Sequence, residues 1–138
     1  MKKFLTVLIL VFAVFLGGCD RERPAIFFSS HPIDKNTFNP DQVSNKNFWV
    51  GQKIYFLVYY PKGFPTNSVR LQVITKKDDV KFYGIDIVQV RDVHVKQGSM
   101  IYRGSFCLYK NSLHYLRVFS PDDWNVPLVQ DWFWVRES

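Results

Sequence analysis

The chain has 138 residues and a mass of 16.3 kDa, enough for one domain and too few for two with separate cores. Hydrophobic residues make up 47% and charged residues 22%, which excludes wholesale disorder, and an aromatic share of 17% favours a sheet-rich fold. The net charge of +6 is dispersed, with no arginine-rich helix or basic stripe, so nucleic acid is not an expected partner.

Met1-Lys2-Lys3 is a short basic start. An apolar run follows over residues 4–16, interrupted only by Thr6, and small residues come next. Basic, apolar, small is the order of a secretory signal peptide. As a helix the run would reach roughly 20 Å, short of the ~30 Å hydrocarbon core, so it reads as a leader and not as a permanent span. Leu16-Gly17-Gly18-Cys19 resembles the lipobox of bacterial lipoproteins. The resemblance implies that Cys19 is diacylated and that signal peptidase II cuts before it, with Leu16, Gly17 and Gly18 as its recognition residues. It also implies that membrane lipid, through the acylated Cys19, is a partner. Asp20 resembles the signal that keeps enteric lipoproteins on the inner membrane; which membrane carries the chain stays open. Loss of Lys2 and Lys3 with residues 1–18 reduces the basic excess from six to four.

Residues 19–47 read as a lipidated start and a tether, mostly polar, with Pro24, Pro32 and Pro40. Ala25-Ile-Phe-Phe28 interrupts it as a short strand. Asp34 and Asn36 are spaced as in a calcium loop, but Phe38 stands where a third oxygen ligand is required. From Phe48 the period is two, and residues 48–138 are expected to form one domain. Residues 48–60 read as one long strand, apolar on both sides, ended by Pro61-Lys-Gly-Phe-Pro65. Val69–Val73 is half-buried by its alternation. Lys77-Asp78-Asp79 is a turn. Residues 83–95 change phase near Ile87-Val88, which predicts a bulge or a break. Met100–Tyr109, Leu113–Phe119 and Trp132–Val135 complete about seven short strands, with Asp122–Pro127 as a loop.

Short strands between turn signals, with no trustworthy helical period, predict an all-β fold: a single antiparallel β-sandwich, with a small open β-barrel as alternative. Phe48-Trp-Val-Gly-Gln-Lys-Ile-Tyr and Trp132-Phe-Trp-Val-Arg resemble the first and last strands of immunoglobulin-like domains in bacterial envelope proteins. The Cys…Trp…Cys arrangement of true immunoglobulin domains is absent.

Chemistry-bearing residues are few. With Cys19 taken by lipid, Cys107 is left alone among apolar neighbours and reads as a buried, inert thiol. His31, His94 and His114 show no metal-ligand spacing, and neither a nucleophile elbow nor a phosphate loop is present, so no metal or cofactor is expected. A hydrolase would have to assemble His94, His114 and carboxylates such as Asp86, Asp92 and Asp131 in space. Trp132 and Trp134 share one face of the last strand, Phe133 and Val135 the other. Together with Trp124 they would form a ligand-binding strip if exposed; alternatively, Trp124 and the loop 121–127 fold over the strand and hide it. The expectation is a non-enzymatic, membrane-anchored envelope lipoprotein that binds an envelope protein or glycan. A small periplasmic hydrolase and a structural spacer are the alternatives.

Overall fold

The computed structural model describes residues 23–76 and 84–137. The expected turn at Lys77-Asp78-Asp79 and the whole leader lie outside them. Eight strands form: β1 (Ala25–Ser29), β2 (Asn47–Trp49), β3 (Lys53–Tyr59), β4 (Ser68–Lys76), β5 (Ile85–His94), β6 (Ile101–Cys107), β7 (Ser112–Phe119) and β8 (Val129–Arg136). They build a three-stranded sheet, β1-β3-β6, and a five-stranded sheet, β2-β8-β7-β4-β5. The sheets do not close into a barrel. Their strand order is that of an immunoglobulin-like β-sandwich.

The stretch 48–60 is not one strand. Val50–Gln52 breaks it, with Gly51 at φ +79°, a conformation that L side chains rarely adopt. The break moves the chain from one sheet to the other. β2 therefore runs parallel to β8, with Phe48 beside Val135, while every other pairing is antiparallel. The phase change in β5 is a bulge within one strand. Val73 pairs with Gln89 and Ile74 with Ile87, which leaves Val88 as the extra residue.

Inward-facing residues of both sheets make the core, among them Phe28, Phe48, Phe56, Phe106, Leu116 and Phe133. β3 is apolar on both faces for a second reason. Ile54, Phe56 and Val58 enter that core, while Leu57 on the opposite face is fully buried with its cross-strand neighbour Phe27. The segment 30–46 covers that face. Phe38 packs edge-on against Phe27 at 4.8 Å and lies 5.9 Å from Tyr59. The Asn45 amide bonds the Phe28 carbonyl, and the Ser44 hydroxyl accepts from the Phe28 amide. The expected strand at 25–28 is thus formed, and the rest of the expected tether is packed onto the body. Asp34 accepts from the Asn36 amide in an Asx turn, and Phe38 serves packing.

Gly104 lies directly across from Phe56. A Cβ at Gly104 would come within 2.6 Å of Phe56 Cζ, on a ring that is itself held against Phe106 at 5.4 Å. Gly104→Ala is therefore expected to cost about 1–3 kcal/mol through overpacking. A fall in the urea midpoint checks this; an unchanged midpoint contradicts it.

His114 is fully buried and stacks on Phe133 at 5.6 Å. Its Nδ1 donates to the Ser112 carbonyl at 3.0 Å, which sets the tautomer, and Nε2 has no partner. Burial pushes the pKa below its ordinary value; the Ser112 carbonyl opposes this, and nearby Lys110 adds to it. The ring is thus neutral at pH 7, whereas an unfolded chain titrates near 6.5. Between the two values the unfolded state binds more protons, so stability falls as pH drops below about 6.5 and levels off beneath the folded pKa. An NMR titration should give His114 a midpoint below 6.5, and a midpoint at or above it would contradict the burial argument.

Candidate binding face

On β8, Phe133 and Val135 enter the core, and Trp132 and Trp134 point away from it. The loop 121–127 does not hide them. Trp124 lies instead over the Arg70 guanidinium of β4, 3.6 Å from its centre, and the Trp132 side remains 42% exposed.

Cross-strand pairing extends this face over the whole five-stranded sheet. Ile87, Ile74, Tyr115 and Trp132 stand side by side on β5, β4, β7 and β8, one apolar row crossing four strands. Neighbouring strands lie ~4.8 Å apart, so the row spans roughly 14 Å. On one side runs Val90, Gln72, Arg117 and Gln130; on the other Leu113 lies beside Trp134. Ile87 is 58% exposed and Val90 45%, because β5 is the sheet's edge. Trp49 on β2, beside Arg136, completes the aromatic set at the opposite edge.

Cations sit over these rings. Lys46 Nζ is 5.0 Å from the Trp132 centre, Arg136 4.8 Å from Trp134, Arg117 4.9 Å from Phe119 and Lys76 5.6 Å from Tyr115. Each such pair contributes about 0.5–1 kcal/mol at an exposed site and also holds its ring in place. Two of the cations are neutralised. Lys46 pairs with Asp131, and Arg70 holds Asp92 through two bonds of 2.7 and 3.0 Å. The bonds from Arg70 keep the Asp92 carboxyl below the usual carboxylate range. The face therefore offers planar rings and guanidinium groups, a combination suited to a surface that is partly apolar and partly acidic.

The remaining sequence candidates are dispersed. His94 pairs with Ser68 at one end of β4 and His114 with Thr75 near the other, seven residues and roughly 24 Å along the strand. Proton transfer needs approach to about 3 Å, so the two cannot act together. Asp92 and Asp131 are engaged as above, and Asp86 lies 3.6 Å from Lys110. Among the described residues, no three or more His, Cys, Asp or Glu side chains are grouped to hold a metal, and no helix is long and apolar enough to cross a membrane. Cys107 closes β6 and is half-exposed, not buried, because the strand ends there and does not run on to Tyr109. Leu16, Gly17, Gly18 and Cys19 lie outside the described residues.

Sequence reasoning missed Ile74, Ile87, Val90, Tyr115 and Arg117 as members of this face. A signal existed: the outward positions of β7 read Leu113, Tyr115, Arg117, Phe119, too apolar for a strand whose other face is the core. No protein-family model matches the chain, and no curated protein shows detectable similarity to it.

Proposed function

We propose that this chain is a lipid-anchored, exported envelope protein of a bacterium, and that it works without catalysis, by docking a protein partner on the outer face of its five-stranded sheet. The anchor rests on Leu16-Gly17-Gly18-Cys19 behind a leader of the right order and length. The docking role rests on one observation, the apolar row Ile87–Ile74–Tyr115–Trp132 left uncovered at both ends and flanked by Arg117 and Trp134. Contiguous exposed apolar area on a small domain marks an interaction site. A flat sheet face, without a groove around the rings, suits a protein surface better than a single sugar chain.

Trp132→Ala is the test. Interface aromatics of this kind typically contribute 2 kcal/mol or more, so capture of the partner crosslinked in intact cells should weaken more than tenfold. The melting temperature should stay close to that of the parent, because the ring is outside the core. Capture at full strength by Trp132→Ala and Tyr115→Ala alike would overturn the docking face, and a crosslink to peptidoglycan or another glycan would replace the protein partner.

A further inference from the structure

The anchor reading has a geometric consequence, and the following inference rests on it. β1 begins at Ala25, so only residues 20–24 separate Cys19 from the fold. Fully extended, that leash reaches about 21 Å, whatever conformation it takes. It also leaves from a definite end of the sandwich. Ala25 pairs with Tyr59 and Tyr59 with Ile101, so the leash departs beside the turn 60–67 and the loop 95–100. Hydrogen bonds clip these together: the Phe64 amide to the Ser99 carbonyl, the Gly98 amide to the Phe64 carbonyl, and the Val95 amide to the Asn67 carbonyl. The loop 120–128 shares this end, because Arg70 of β4 pairs with Phe119 and lies under Trp124.

We propose that this loop-bearing end is the membrane-facing pole of the protein, and that it rests on the phospholipid headgroups of the bilayer that holds Cys19. Its side chains have the chemistry for that position. Met100, Trp124 and Val126 are exposed by 50%, 48% and 63%, and Lys62 and Lys96 are exposed beside them. Tryptophan and short apolar side chains partition into the headgroup layer, and lysines reach the phosphates of anionic lipid. Asp122 and Asp123 lie at the same end. Asp123 is turned inward to accept from the Asn125 and Val126 amides, and so shapes the loop that carries Trp124. The opposite pole, with Lys110 and Asn111, lies a strand length further out, roughly 24 Å from the first by the eight residues of β8. The outer face of the five-stranded sheet then stands upright on the membrane, accessible to a partner from the side.

The experiment uses the lipidated full chain in vesicles of phosphatidylethanolamine and phosphatidylglycerol, doped with a phospholipid that carries a nitroxide on its headgroup. A fluorophore is placed at Lys96→Cys or at Asn111→Cys, each with Cys107→Ser; both labelled positions are exposed, so the fold is spared. Flotation of the vesicles reports the anchor separately. The proposal expects the protein to float, the residue-96 label to lose its emission and the residue-111 label to keep it. Flotation with equal quenching of the two labels, with quenching of neither, or with stronger quenching at residue 111 overturns the orientation and leaves the anchor standing. Failure to float overturns the anchor and the orientation with it.

Discussion

Replacing Phe133 with alanine is expected to lower the free energy of unfolding by about 3–5 kcal/mol. Phe133 is fully buried on β8 and its ring joins both sheets. It lies 4.8 Å from Phe28 and 5.6 Å from Phe106 of the three-stranded sheet, and 6.2 Å from Phe48 and 5.6 Å from His114 of its own. Truncation removes the shared neighbour of four rings on four different strands, and the rigid sheets cannot collapse onto the space. Small domains hold only about 5–15 kcal/mol in all, so the variant loses a large part of its stability. Trp132→Ala, one residue away but on the opposite face, should cost about 1 kcal/mol or less. Urea unfolding followed by circular dichroism reads both. Equal losses for the two variants would contradict the assignment of faces on β8.

Cys19→Ser is expected to have the largest effect on placement and none on the fold. A serine hydroxyl is a far weaker nucleophile than a thiol and does not take the glyceryl group, so the lipid-dependent cut does not follow. The chain should keep residues 1–18, run larger on a gel and incorporate no labelled fatty acid. The retained apolar leader still associates with membranes, so the deciding readouts are size and acyl label, and fractionation decides nothing. Two or three acyl chains, each with about 0.8 kcal/mol per buried CH₂, hold a protein where one chain is marginal. A Cys19→Ser chain that is cut and labelled like the parent would remove the lipobox reading.

Most of the fold was legible in the residues. Alternation placed β4, β6, β7 and β8 because each has a core side, and the bulge at Val88 showed as a slip of phase between Ile87 and Val90. Two features were hidden for the same physical reason, that a strand apolar on both sides loses its alternation. Phe48 and Ile54 look like one run although Gly51 sends them to different sheets, and only that glycine marks the break. Leu57 and Phe27 belong to a second small core whose cover, the segment 30–46, is polar enough to read as a tether. The binding face was half legible. Trp132 and Trp134 share a side by their spacing, but the row they join is made by β5, β4 and β7, and cross-strand register is not written in any one strand. Whether Trp124 covered them depended on a loop held by Arg70, a contact between residues 54 positions apart in the chain.

The account depends most on the bond between Cys19 and its acyl groups. Mass spectrometry of the protein extracted from bacterial membranes tests it directly. The predicted result is an N-terminal peptide that begins at Cys19 and carries the added mass of a diacylglyceryl group, with or without a third acyl chain on its amine. An N-terminal peptide with an unmodified Cys19, from protein recovered free in solution, would contradict it.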